Sequence, residues 1–114
     1  MKPGRYNYRL VQGDTFQNTP VWKVNSVPVN VTGYSALMQV RKNPGGTVIV
    51  TLSSANGRIT VGTVDGSFAL YIAPGDTSGL QVGEWVYDLQ VTAPDGTVTT
   101  LLQGGFSITA QVSA

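Results

Sequence analysis

The sequence contains no cysteine and no histidine among its 114 residues. Without cysteine the chain forms neither disulfide bonds nor a thiolate metal site, which fits a reducing cytosol or a particle assembled there. Without histidine it lacks the most frequent general base, the most frequent metal ligand and the side chain that titrates near neutral pH. These absences remove much enzyme chemistry, and we expect no catalytic site, no cofactor and no metal ion.

Charged residues are also scarce. Seven Lys and Arg against six Asp and Glu give a net charge of +1, and charged residues make up 11% of the chain. A typical globular domain has about 25%. A surface built from Thr, Ser, Asn, Gln and Gly repels its neighbours weakly, so it suits a protein packed against copies of itself or other subunits. A plain soluble domain with a neutral surface is the alternative.

Long apolar segments are missing as well. The first six residues lack the apolar stretch of a signal peptide, and no apolar run approaches the length that crosses a bilayer, so we expect no membrane partner. No stretch of ten residues has helical periodicity. Short strands separated by Gly and Pro turns instead predict an all-β chain, a single sandwich or barrel over residues 1–114.

The strand pattern is clearest in the last third of the chain. Trp85, Tyr87, Leu89 and Val91 alternate with polar residues, which predicts a half-buried strand. The following Ala-Pro-Asp-Gly predicts a hairpin turn in which Gly96 takes a positive φ. Residues 47–52 form a β-branched run that predicts a strand covered on both faces. The same alternation predicts further inward-facing residues: Ala36, Met38, Val40, Phe68, Leu70 and Ile72.

The carboxylates offer no clear catalytic pair. Asp76-Thr-Ser-Gly resembles the signature of aspartic proteases, but Pro74 and Gly75 precede it instead of a strand, so we expect Asp76 to cap a helical turn. Glu84 and Asp88 share one face of a strand at roughly 13 Å, too far apart for a glycosidase pair. Turn aspartates bond their own backbone, with a calcium site as the alternative: Asp14, Asp65 and Asp95.

Basic residues cluster at residues 41–42 and at Lys2, Arg5 and Arg9. Tyr6 and Tyr8 lie between the N-terminal basic residues. In nucleic-acid-binding proteins, basic side chains pair with phosphates and neighbouring aromatic rings stack on bases. At a net charge of +1 the broad basic surface of a nucleic-acid binder is missing, so we expect a polar first strand and no nucleic-acid partner.

Trp22 is the strongest candidate for a contact with a protein partner. Pro20 cannot donate to a strand ladder, so Trp22 lies beside a predicted edge, and aromatic side chains are favoured anchors of interfaces. A core position is the alternative. The predicted partner-binding residues are therefore Trp22, Tyr6 and Tyr8.

Six segments follow the order of a known group of domains. They read LVQGDTF (10–16), VNVTGYSALMQVR (29–41), NGRITVG (56–62), GEWVYDLQV (83–91), PDGTV (94–98) and LQG (102–104). This series resembles the small immunoglobulin-like domains of tailed bacteriophages, above all the N-terminal domain of phage baseplate upper proteins. Asn30-Val-Thr-Gly stands where that group usually carries Asp-Leu-Thr-Gly, and Trp85 stands at an aromatic position.

The resemblance implies an immunoglobulin-like antiparallel β-sandwich of about seven to nine short strands. It also implies a non-enzymatic virion structural protein, assembled in the bacterial cytoplasm and docked to other phage subunits in many copies or as a homo-oligomer. In baseplate upper proteins a long helical and receptor-binding-adaptor region follows this module. Here the chain stops at Ala114, so we expect a stand-alone module.

Several placements stay open on this reading. A tail, baseplate or tail-fibre-attachment component is expected first, and a capsid decoration protein is the alternative. From another class comes a carbohydrate- or host-surface-binding module, with Tyr34, Tyr71 or Trp22 stacking on sugars. Docking would use a neutral, Thr-rich sheet face or an exposed strand edge that adds to a neighbouring sheet.

Overall fold

Short alternating segments form strands throughout residues 4–110, the part of the chain that this computed structural model describes. One helical turn, α1 (Pro74–Thr77), interrupts them. The eleven strands within these residues are β1 (Gly4–Arg5), β2 (Tyr8–Val11), β3 (Phe16–Asn18), β4 (Lys23–Val24), β5 (Val27–Pro28), β6 (Ser35–Arg41), β7 (Val48–Ser53), β8 (Ile59–Val61), β9 (Phe68–Ile72), β10 (Gly83–Thr92) and β11 (Val98–Thr109). No helix among these residues has the length and apolar character to cross a bilayer.

The larger sheet has the order β1-β11-β10-β6-β7, and β2 also pairs with β11. β1 and β2 run parallel to β11, whereas the other neighbours are antiparallel. The chain kinks between β1 and β2, where the Tyr6 carbonyl oxygen accepts a hydrogen bond from the Tyr87 hydroxyl at 2.6 Å. A Cβ at Gly104 would lie 2.3 Å from the same carbonyl oxygen, so this crossing requires a glycine.

The smaller sheet has the order β3-β9-β8, and its inner face packs on that of the larger sheet. Buried side chains from both sheets form one cluster, which contains every inward-facing residue predicted from the alternation: Ala36, Met38, Val40, Phe68, Leu70, Ile72, Trp85, Tyr87, Leu89 and Val91. The predicted closing hairpin is also confirmed, with Gly96 at φ +94° in its turn.

The strand order identifies the sandwich type. A variable-type immunoglobulin domain sets B, E and D strands against a G-F-C sheet extended by C′. Here β3, β9 and β8 oppose β11, β10, β6 and β7 in the matching order. The predicted all-β, immunoglobulin-like sandwich is therefore confirmed.

Three details differ from the prediction. The strands outnumber the expected seven to nine because β1, β4 and β5 have two residues each. The sheet is mixed, since β1 and β2 are parallel to β11. Within residues 4–110, β7 pairs with β6 alone and is an edge strand with half-buried Val48 and Ile49, not a strand covered on both faces.

The two ends of the sandwich carry different elements. Thr92 pairs with Ser35 at one end, where the β10–β11 turn and the β4–β5 hairpin also lie, and we call this the hairpin end. Gly83 pairs with Ile108 at the other, which we call the helix end because α1 precedes it. There the buried Thr77 hydroxyl donates to the Asp14 carbonyl at 2.7 Å.

Candidate functional site

The β4–β5 hairpin is exposed at every residue from 23 to 28 and forms a separate two-stranded sheet. Its two-residue turn puts Asn25 at φ +52° and Ser26 at φ +67°. Positive φ at both positions is the geometry of a type I′ hairpin turn, where Asn is favoured first and Gly second. Val24 and Val27 face each other across the hairpin and are 43% and 63% exposed.

One backbone bond joins the hairpin to the β8–β9 turn, and another closes the base of the hairpin. The Trp22 N–H donates to the Gly66 carbonyl at 2.8 Å, and the Val29 N–H donates to the Trp22 carbonyl at 2.9 Å. Gly66 lies at φ +70°, and a Cβ there would come within 2.6 Å of the Trp22 carbonyl oxygen. The glycine therefore lets the β8–β9 turn approach the base of the hairpin closely.

Trp22 is half-buried beneath the hairpin. Its ring meets Tyr34 edge to face, with centroids 6.1 Å apart at 76°. Its indole N–H is buried and has no hydrogen-bond partner within residues 4–110. An unpaired buried donor of this kind costs about 1–3 kcal/mol, so a group that accepts from it stabilises the site.

A groove of ≈ 270 Å³ lies beside Trp22, at one open side of the sandwich, and we call it the Trp22 groove. Gly4 of β1 forms one wall and residues 20–23 form the other. Its floor is apolar and consists of Phe68, Leu89, Leu101 and Leu102.

The wall at residues 20–23 presents a strand edge to the groove. The Pro20 carbonyl and the Trp22 N–H bond to Phe68 and Gly66 on one side. In an extended chain the backbone groups of Val21 and Lys23 then point to the opposite side. Within residues 4–110, the N–H and C=O of Val21 have no backbone partner.

A basic side chain borders the Trp22 groove. The exposed Lys23 stands in one wall, whereas Arg5, which follows Gly4 in β1, lines a different groove on the outer face of the larger sheet. Among the described residues that line the groove there is no Asp or Glu. The groove therefore combines an apolar floor with a positive charge in one wall.

Of the two predicted tyrosine contacts, only Tyr6 is on the surface. Tyr6 is 52% exposed and follows β1. Tyr8 is 5% exposed, and its hydroxyl donates to Asn18 at 2.8 Å. Burial, with a smaller effect of Tyr6, raises the pKa of Tyr8 to about 12. Tyr8 is a core residue because it shares a strand face with the buried Leu10, so its ring offers no partner contact in this fold.

A second groove, of ≈ 620 Å³, lies on the outer face of the larger sheet. Arg41 and Asp88 line it together, so it carries both signs of charge. The Arg41 guanidinium donates to the Gly46 carbonyl at 2.8 Å and to the Gln39 side chain at 2.6 Å. Because these bonds within the chain already engage the Arg41 guanidinium, we interpret Arg41 as part of the sheet face and not as an anion-binding residue.

The carboxylates serve turns and surface pairs. Asp65 accepts from the Thr63 and Ser67 backbone N–H groups, and bonding to Ser67 above all lowers its pKa. Asp95 is held in the same way by Thr97, which lowers its pKa too. The predicted turn roles of both are confirmed. Within residues 4–110, no three acidic side chains lie close enough together to hold a metal ion.

The predicted capping role of Asp76 is wrong. Ala73 is the N-cap of α1, with Pro74 in its first turn, and Asp76 lies inside the helical turn. The Asp76 carboxylate instead pairs with Arg58 at 3.1 Å. Proline fits the first turn of a helix because its missing N–H is not needed there, and the helix therefore begins three residues before the predicted start.

The aromatic residues considered for sugar binding do not form one platform. Trp22 and Tyr34 pack edge to face under the hairpin, whereas Tyr71 is 41% exposed on the outer face of the smaller sheet. Among the described residues Tyr71 makes no aromatic pair. The basic N-terminal set is divided as well, since Tyr8 is buried, and Lys2 lies outside the described residues.

Comparison with known proteins finds a distant structural likeness. No protein-family model matches the chain, and no curated protein matches it. Among solved structures it is similar to Drosophila OTK, extracellular domains 3-5, with 14% identity and a TM-score of 0.33. The match covers 95% of this chain and 33% of that one, so the chain spans about a third of its length. At this identity and TM-score the likeness carries no argument about function.

Proposed function

We propose that the protein is a non-enzymatic docking module, a structural component of a bacteriophage virion that binds other virion subunits through its hairpin end. The observation that carries the proposal is the apolar surface there. Val24 and Val27 are exposed on the hairpin, and the apolar Trp22 groove opens beside them. Exposed apolar area next to an aromatic anchor is typical of protein interfaces.

Two further observations support docking. The chain has a net charge of +1 with 11% charged residues, so it repels neighbouring subunits weakly. Near the hairpin end, the outer face of the larger sheet carries short uncharged side chains such as Ser35, Thr92 and Thr100, which allow close lateral packing. The virion context rests on the sequence resemblance to phage immunoglobulin-like domains. A tail, baseplate or fibre-attachment position agrees best with that resemblance.

Quantitative mass spectrometry of purified phage particles tests this function. We expect the chain at a fixed copy number in isolated tails, and we expect it to stay bound after washing in high salt because apolar docking is weakly screened. One copy for each capsid subunit would place it on the capsid as a decoration protein instead. Absence from purified particles contradicts a structural role.

A further inference from the structure

We propose that the Trp22 groove receives an extended segment of a neighbouring subunit as an added β-strand, with an apolar side chain in the groove and an acidic residue beside Lys23. This inference rests on the proposed docking function and names the kind of partner. Strand addition uses backbone hydrogen bonds for affinity and side-chain pockets for specificity. The groove offers both.

The backbone bonds come from the wall at residues 20–23. Val21 and Lys23 direct their N–H and C=O groups away from Gly66 and Val29, the partners of Trp22 on the other side. Lys23 and Pro28 form the non-hydrogen-bonded pair of the hairpin next to Trp22 and Val29, so the backbone groups of Lys23 face away from Pro28. An extended segment lying along this wall bonds to alternate residues, as a neighbouring strand does.

The pocket for a side chain is the apolar floor. Phe68 and Leu89 are fully buried at its base, and Leu101 and Leu102 are half-buried at its side. Because alternate side chains of a strand point to one face, every second residue of the added segment faces this floor. A leucine or valine there removes further apolar surface from water.

The Trp22 indole and the charge of Lys23 add two requirements. The indole N–H is buried without a partner within residues 4–110, and a carbonyl of the added segment accepts from it. Lys23 stands in one wall of the groove, and none of the described residues that line it is acidic. An acidic segment is therefore favoured over a basic one.

A synthetic peptide tests the groove without any particle. The probe is a short capped peptide in which threonine and valine alternate around a central leucine, with a glutamate at each end. Titration is followed in ¹H–¹⁵N NMR spectra of the whole chain. We expect saturable shifts of the Trp22 indole and of the Val21 and Lys23 amides, with the Trp85 indole, which bonds to the Gln81 carbonyl, unmoved.

Matched variants assign the contacts. Trp22→Phe keeps an aromatic ring but removes the indole donor. We expect it to raise the dissociation constant of the peptide by about 5-fold, the effect of one lost hydrogen bond. Lys23→Glu is expected to raise the dissociation constant by a similar factor. Lys42→Glu makes the same charge change in the exposed β6–β7 turn, at the helix end, and is expected to change affinity by less than about 2-fold.

Three results overturn the inference. Saturating peptide that moves none of the Trp22, Val21 and Lys23 signals excludes strand addition at this wall. Binding that appears only after removal of residues 1–3 shows that the groove is filled by the chain itself. Concentration-dependent shifts of the same signals without peptide show that a second copy occupies it. None of these depends on whether the chain is found in particles, so failure here is distinguishable from failure of the virion role.

Discussion

At the residue scale, single side chains and single glycines decide how the first strand joins the larger sheet. Tyr87 bonds the Tyr6 carbonyl from inside the core, and Gly104 leaves the space that this carbonyl occupies. The glycine of the Leu-Gln-Gly segment at residues 102–104 is therefore explained by backbone packing. The chain can pass from β1 to β2 only while this approach remains open.

Replacement of Gly104 tests this approach. Gly104→Ala places a Cβ 2.3 Å from the Tyr6 carbonyl oxygen, and we expect it to lower the free energy of unfolding by about 2–3 kcal/mol in urea titrations. Gly75→Ala is the matched control, because no atom lies within 4 Å of its added Cβ. Gly75 is inside α1, where alanine is the better helix former, so the control is expected to be neutral or stabilising. Equal losses in both variants contradict the packing role.

Tyr8 supplies a prediction about pH. Burial raises its pKa from 10.0 to about 12, and burial raises the pKa of Tyr87 as well. The folded state disfavours the Tyr8 phenolate, whereas the unfolded state ionises freely above pH 10. The contribution of neutral Tyr8 to the free energy of unfolding is therefore fully present below pH 10 and is lost as the pH rises toward 12. We expect chemical denaturation to show about 1 kcal/mol lost from this residue by pH 11. Tyr8→Phe should reduce the fall of the free energy of unfolding with pH above pH 10. Tyr71→Phe, on the outer face of the smaller sheet, should not reduce it.

At the element scale, the features that could be predicted are those set by neighbouring residues, and the missed ones depend on weak turn signals or on residues far along the chain. β10, β11 and the turn at Gly96 were predictable because alternation and turn residues lie within one short stretch. The β4–β5 hairpin was not, because Asn25-Ser26 is a weak turn signal between two proline-containing segments. The burial of Tyr8 was within reach of the sequence, since it shares a face with Leu10. The half-burial of Trp22 depends on Gly66, over forty residues away, and no local pattern contains it.

The hairpin turn yields a prediction of its own. Ser26 lies at φ +67°, a region that costs a non-glycine residue about 1 kcal/mol. Ser26→Gly relieves this strain, and we expect amide hydrogen exchange at Val24 and Val27 to slow by about 2–5-fold. Ser78→Gly, at φ −63°, changes a serine without such strain and should leave hairpin exchange unchanged. Faster exchange in Ser26→Gly contradicts the turn geometry.

At the scale of the whole molecule, the two ends of the sandwich differ in kind. At the helix end, polar groups form hydrogen bonds within the chain. The Thr77 hydroxyl, for example, donates to the Asp14 carbonyl and accepts from the Gly13 N–H. The hairpin end leaves valines, a strand edge and an indole donor without partners among the described residues. An asymmetry of this kind fits a module that is attached to a larger assembly at one end.

Incorporation of end-specific variants into phage particles tests the central claim most directly. Val27 and Val82 are exposed valines, at 63% and 49%, on the hairpin end and the helix end respectively. Each is replaced in turn by aspartate, and the variant is expressed together with tagged wild-type chain during phage assembly. The ratio of variant to wild type in purified particles is then compared with that in the lysate. We expect Val27→Asp to be depleted by about 10-fold or more and Val82→Asp to be incorporated like the wild type. Equal incorporation of both, or depletion of Val82→Asp alone, contradicts docking through the hairpin end.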